Sequence, residues 1–264
     1  MESRGTRIAL AAWSALVVLF LLFPIALIGV YAFNKTNVQG WPITQFSTKW
    51  WGIAWDNTEI RDALWLSVRV AFFATAIALV LGTAAAFAVH RFHFFGSQAF
   101  SLILILPIAL PGIVTGMALN SFYAAGNIQL SLWTIVIAHA TFCIVIVYNN
   151  AIARLRRTPG SLVEASMDLG ADGWQTFRYV IWPVISTALV SGALLAFALS
   201  FDEVIVTYFT AAQNTLPLWI LGAIRQGTEL PQVNVVVLVW ILITLVPVFI
   251  SVRLTRDTGV LRQR

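Results

Sequence analysis

Charge is what this sequence has least of. Of its 264 residues only 10% are Asp, Glu, Lys or Arg, whereas 59% are hydrophobic and the mean hydropathy is +0.86. A soluble domain carries about a quarter charged residues, so this chain cannot cover a water-facing surface and membrane lipid is its expected solvent. A single cysteine, Cys143, excludes an internal disulfide and any cysteine-cluster metal site. Low-complexity tracts and internal duplications are absent, and 11 Trp with 18 Phe exclude a disordered chain. No glycine-rich phosphate loop ending in Lys-Ser or Lys-Thr occurs, nor a Ser/His/Asp set or a metal-ligand cluster. The chain is therefore expected not to be an enzyme, with no catalytic residue and no metal of its own. Its formal charge of +5 comes from Lys and Arg scattered in ones and twos, which make no basic face for nucleic acid.

Apolar runs are what the sequence has in abundance. A helix needs about 20 apolar residues to cross a hydrocarbon core about 30 Å thick. Six stretches qualify, at approximately 8–32, 64–89, 100–124, 130–148, 183–200 and 233–254. The first follows Arg4 and Arg7 as a secretory signal would, but it is too long for a signal core and Phe33-Asn34-Lys35 is no cleavage site, so it is expected to be a retained span. The whole of 1–264 reads as one transmembrane domain, an all-α membrane protein of six helices.

Six spans put both termini on one side, and Lys and Arg in short loops mark the cytoplasm. With the termini inside, the inner segments hold Arg4, Arg7, Arg91, Arg154, Arg156, Arg157, Arg178, Arg253, Arg256, Arg262 and Arg264, while the outer loops hold only Lys35, Lys49, Arg61 and Arg225. The predicted orientation is thus both termini cytoplasmic. Trp41, Trp50, Trp51 and Trp55 then lie just outside, at the interface that indoles favour.

The long inner connection, 154–182 in its coupling part, is patterned as two short helices. Ser161 with Glu164 has the spacing of a capping box, Gly170 is a left-handed stop signal, and Asp172 with Gln175 repeats the start signal. Pro183 either ends the second helix or opens the fifth span. Glu164, Asp168 and Asp172 recur at four-residue spacing, an acidic stripe that suits either a solvated hairpin or a donor-rich partner.

Glu164-Ala165-Ser166, three residues, Gly170, nine residues, Val180, one residue and Trp182-Pro183 resemble the EAA loop of MetI-like, binding-protein-dependent ABC importer permeases. That pattern is Glu-Ala-Ala, then Gly, then Ile, then Leu-Pro at the same spacings, so Ser166, Val180 and Trp182 depart from it. The likeness extends from about Leu64 to Leu254 and includes Leu81-Gly82-Thr83. It implies a type I importer permease whose coupling helix, with Glu164, Ala165, Ser166, Asp168, Gly170 and Asp172, docks on a cytoplasmic ABC ATPase dimer. That ATPase binds ATP and Mg, so no cofactor is expected in this chain. A second homologous permease, an extracytoplasmic substrate-binding protein and a bacterial inner membrane complete the implied setting.

Near the outer end of the fifth span, Leu199-Ser200-Phe201-Asp202-Glu203-Val204-Ile205-Val206-Thr207-Tyr208-Phe209, with Thr215-Leu216-Pro217-Leu218, is similar to the C-type permeases of spermidine/putrescine importers. That likeness implies polyamine transport. Asp202 and Glu203 are the adjacent carboxylates closest to the spans; one of them, preferably Asp202, meets a passing ammonium group, or both sit among headgroups or pair with Arg225. Pro107, Pro111 and Gly112 interrupt the third span, as a gate or as packing kinks. His139 in the fourth span is either a pore residue or bonded to a neighbouring helix, and Leu216 to Gly227 is expected to form a helix on the outer surface. Importers of 4-aminobutyrate, amino acids or other organic cations share the architecture. An ion-coupled secondary transporter is the more distant alternative.

Overall fold

The computed structural model describes residues 4–37, 39–92, 95–227 and 229–260, the side chains of Gln98 and of residues 254–260 excepted. Arg262, Arg264 and the side chain of Arg256, counted above for orientation, lie outside the described residues. The chain runs through α1 (Arg4–Tyr31), α2 (Lys49–Asp56), α3 (Thr58–Arg91), α4 (Ser97–Ala109), α5 (Gly112–Ala125), α6 (Leu132–Arg157) and α7 (Ser161–Asp168). After α8 (Gly173–Thr176) a π-helical turn, Phe177–Ile181, leads into α9 (Trp182–Phe201), then α10 (Ile205–Thr210), α11 (Leu216–Gln226) and α12 (Leu230–Val260). Outside helices, the described residues hold one isolated antiparallel bridge, Asn34 to Phe46.

Five helices are long and apolar enough to cross a membrane: α1, α3, α6, the continuous stretch Gly173–Phe201, and Leu230–Arg253 of α12. The sixth apolar stretch is split into α4 and α5, bent by 102°. The chain is an all-α membrane protein with five spans, or six if the bent pair is one.

The helices divide between two compact units, one made of the chain up to Arg61 with Trp219–Ile243, the other of Asp62–Leu218 with the chain from Thr244. In the first unit α1 has no buried residue, as suits an apolar helix solvated by lipid. Past its end the chain doubles back, with Lys35 N–H donating to Gln45 O at 3.0 Å and Ser47 N–H to Phe33 O at 2.8 Å. The Phe33 ring meets Trp51 of α2 at 5.4 Å. Asn57 then starts α3, its Oδ1 accepting from Glu59 N–H at 2.9 Å and Ile60 N–H at 3.3 Å, an N-cap that satisfies first-turn donors.

The second unit is organised around α6. Its apolar core gathers Ala78, Phe142, Val147, Ile185, Leu189 and Ala196 from α3, α6 and α9. The α3 backbone rides close on α6 at Gly82: a Cβ there would lie 2.8 Å from Ile144 O and 3.1 Å from Tyr148 N. Only glycine permits that approach, which gives Leu81-Gly82-Thr83 a packing role.

One expectation shifts, and one open choice closes. The fourth span does not stop near Tyr148; α6 continues to Arg157, because Arg154, Arg156 and Arg157 in its last turn favour a helix C-terminus. At the other end the second of the two readings of Pro183 holds: it opens the fifth span and does not end a helix. It falls in the first turn of α9, where the preceding π-helical turn carries the chain through with Trp182 N–H donating to Phe177 O. The segment between long helices therefore contracts to 158–172.

Candidate functional site

Two places carry the residues singled out by sequence, the α7–α8 connection and the α9–α10 turn. At the first, Gly170 has φ +86°, the left-handed conformation that favours glycine. Its N–H donates to Met167 O at 2.9 Å and Ala171 N–H to Ser166 O at 3.0 Å, the paired bonds of a Schellman motif that closes α7. Asp172 then caps α8 reciprocally, its carboxylate accepting from Gln175 N–H at 2.8 Å while Gln175 Oε1 accepts from Asp172 N–H at 3.0 Å.

The other expected capping box does not form. Ser161 is already inside the first turn of α7, and the donors it was expected to satisfy go to backbone carbonyls: Val163 N–H to Gly160 O at 2.9 Å and Glu164 N–H to Gly160 O at 3.1 Å. The three-member acidic stripe is also broken, since α7 ends at Asp168 and the Asp172 carboxylate is committed to α8. Glu164 and Asp168 remain on α7, exposed beside Leu162 and Met167, with Ala165 and Leu169 also exposed.

Ser166, a departure from the family pattern, has a partner that sequence spacing did not reveal. Its hydroxyl lies 2.9 Å from that of buried Thr176, fastening α7 to α8. Trp182 joins an aromatic row, with Phe177 between Trp182 at 6.2 Å and Trp174 at 5.7 Å, and Phe87 of α3 meeting Phe177 edge-on at 5.9 Å. Phe87, Phe177 and Trp182 line a groove of about 670 Å³ between α3 and α9, which Thr75 and Thr83 also line. Both threonine hydroxyls are buried without a hydrogen-bond partner.

At the second place α9 ends and the chain turns. Asp202 is the exposed C-terminal cap residue, its N–H on Ala198 O at 3.2 Å. Glu203 is half-buried, and its Oε1 accepts from Val206 N–H at 2.9 Å, starting α10 as a cap residue would. The adjacent carboxylates thus differ in exposure, Asp202 exposed and Glu203 half-buried on Val206 N–H. His139 of α6 is buried behind the turn with its ring nitrogens 2.8 Å from Ser200 Oγ and 2.8 Å from Thr207 Oγ1. The far end of α10 is held as well: Asn120 Nδ2 donates to Phe209 O at 2.7 Å and Thr134 Oγ1 to Thr210 O at 2.8 Å.

The bend in the third apolar stretch lies beside this turn. Helix α4 runs through Pro107 and breaks at Leu110, and Pro111 and Gly112 open α5. A Cβ on Gly112 would sit 3.5 Å from the Ile205 side chain, so the break abuts the first residue of α10. Gly112 therefore meets the first residues of α10, which follow the Asp202–Glu203 turn, whereas Pro107 lies within α4.

Residues 78–256 match the model of a family described as binding-protein-dependent transport system inner membrane component. Over 250 residues, 94% of this chain and 96% of the relative, the sequence is 33% identical to the spermidine/putrescine transport system permease protein PotC of Haemophilus influenzae. It is also 33% identical over 228 residues to the putrescine transport system permease protein PotI of Escherichia coli, covering 81% of this chain and 79% of that one. Among solved structures, a chain of a bacterial ABC transporter involved in importing the acidic polysaccharide alginate superposes with a TM-score of 0.64 at 18% identity, over 97% of this chain and 98% of that chain, which is a likeness of fold.

Proposed function

Because the chain belongs to the family of binding-protein-dependent transport system inner membrane components, it is a permease of an ABC importer, and we propose that this importer carries polyamines of the spermidine and putrescine class. The observation that carries the cargo is the identity with a spermidine/putrescine permease across 94% of the chain. The chemistry of the α9–α10 turn supports it: Asp202 is an exposed carboxylate at the end of a span, suited to an alkylammonium group. The aromatic-walled groove, with its two unpartnered hydroxyls, offers a similar cation an apolar wall and ring faces.

Energy enters at the other end. The α7–α8 connection, with Glu164, Ala165, Ser166, Asp168, Gly170 and Asp172, docks on a cytoplasmic ATPase dimer that binds and hydrolyses ATP with Mg. Its exposed Leu162, Met167 and Leu169 supply the apolar contact and Glu164 the charge. Helix α8 continues through the π-helical turn into α9, so displacement at the connection passes into the helix that ends at Asp202. Gly112, against Ile205, lets the α4–α5 break at Pro111 follow that movement as a gate, with Pro107 in the helix before it. A second homologous permease completes the path, and an extracytoplasmic binding protein delivers the polyamine. The chain lies in a bacterial inner membrane with both termini cytoplasmic.

Uptake by vesicles holding the complete transporter tests this. ATP-dependent entry of spermidine or putrescine is expected. Entry of 4-aminobutyrate or an amino acid instead would overturn the cargo, and uptake driven by an ion gradient without ATP would overturn the energy source.

A further inference from the structure

We propose that His139 is the positioning residue of the Asp202–Glu203 turn, fixing from α6 the backbone on both sides of the cargo-facing carboxylate. The proposal deepens the reading of Asp202 given above and rests on it for its kinetic consequence.

The direction of each hydrogen bond follows from counting protons. The Thr207 hydroxyl has one, and donates it to the Glu203 carbonyl at 2.8 Å, which can only accept. Toward His139 the Thr207 oxygen must therefore accept, so the proton on the ring is at Nε2, 2.8 Å away. In a neutral imidazole the other nitrogen is then bare, and Nδ1 accepts from the Ser200 hydroxyl at 2.8 Å. The result is a one-way relay from Ser200 through the ring to Thr207 and on to the Glu203 carbonyl, with each donor matched to one acceptor.

Its two ends straddle Asp202. Ser200 lies two residues before it, and the Glu203 carbonyl belongs to the residue after it. The Glu203 carboxylate, bonded to Val206 N–H, pins the exit from the turn as well. The ring that joins these points is 1% exposed and rests against Phe142 of its own helix at 5.3 Å. Helix α6 is in turn packed along α9, where the Cys143 thiol meets Ala196 O at 3.4 Å. A buried ring, held at both edges and anchored in the core of the unit, keeps an exposed carboxylate in one place without touching what that carboxylate binds.

The test uses the complete transporter in vesicles, with spermidine as the probe. His139→Leu is expected to raise the uptake KM by about tenfold with the maximal rate per folded complex nearly unchanged, the signature of lost binding geometry. His139→Gln, which offers a donor and an acceptor on one flat terminus, should recover most of that loss. A spin label on Asp202→Cys, with other reactive cysteines of the complex replaced, should gain mobility in the Leu variant and not in the Gln variant. Thr207→Val, which cuts the relay at two bonds while keeping side-chain volume, takes the place of the Leu variant if that one does not assemble. Unchanged label mobility in His139→Leu, or in Thr207→Val where that takes its place, would overturn the proposal, as would a loss of folded complex with KM intact. If the label loosens yet neither His139→Leu nor Asp202→Asn alters KM, the turn is positioned as proposed and the cargo-contact reading of Asp202 fails instead.

Discussion

The α7–α8 connection and the α9–α10 turn are both short interruptions between helices, and they are held in opposite ways. The connection is built from neighbours: Gly170 on Met167, Ala171 on Ser166, Asp172 on Gln175. The turn is built from distant partners, with His139 reaching Ser200 across 61 residues and Thr207 across 68, and Asn120 reaching Phe209 across 89. Local bonds make a rigid piece that keeps its shape while it moves as a body, as the proposed coupling to an ATPase requires. Long-range bonds make a site whose shape is set by the core, as the proposed recognition of cargo requires.

That contrast can be broken by mutation, and the largest effect is expected at the turn. His139→Leu leaves the buried Ser200 hydroxyl without its acceptor and frees Thr207 from α6, a loss of about 1–3 kcal/mol that should lower the unfolding temperature of the whole complex in detergent. Gly170→Val forces a β-branched residue to φ +86° at about 1–2 kcal/mol. That cost should surface as faster hydrogen exchange confined to α7 and α8 and as lowered ATP-driven uptake, with the unfolding temperature almost unmoved. Asp172→Ala removes one N-cap at about 1 kcal/mol and should fray α8 in the same measurement. Ser161→Ala should change stability by less than about 0.5 kcal/mol, because its hydroxyl caps nothing. A cost near that of Asp172→Ala would restore the capping box that the backbone carbonyls displace.

The same contrast explains what could be read from the sequence. Gly170 and the Asp172–Gln175 pair were legible because their partners lie within a few residues. Ser161 misled because Pro159 and Gly160 offered carbonyls that start the helix one residue earlier, which residue type alone does not reveal. The interruption of the third apolar stretch was legible in Pro111 and Gly112, but the 102° bend was not, since it depends on where α10 packs. Pro107 looked equally disruptive, yet α4 passes through it. His139 left two readings open, and it is the partners contributed by α9 and α10 that decide between them. Nothing in its own neighbourhood points to Ser200 or Thr207. The roles of Asp202 and Glu203 likewise separate only once Val206 N–H is seen on the glutamate.

Coupling at the connection and recognition at the turn are most directly separated by measuring spermidine uptake kinetics and cargo-stimulated ATP hydrolysis side by side in vesicles, for Glu164→Arg and Asp202→Asn. The account predicts that Glu164→Arg lowers the maximal rate and the stimulated hydrolysis together with KM unchanged, while Asp202→Asn raises KM by about tenfold, a loss of about 1.4 kcal/mol of binding, with ATP spent per molecule imported unaltered. The same kinetic pattern in both variants, or full uptake with unchanged KM in Asp202→Asn, would contradict it.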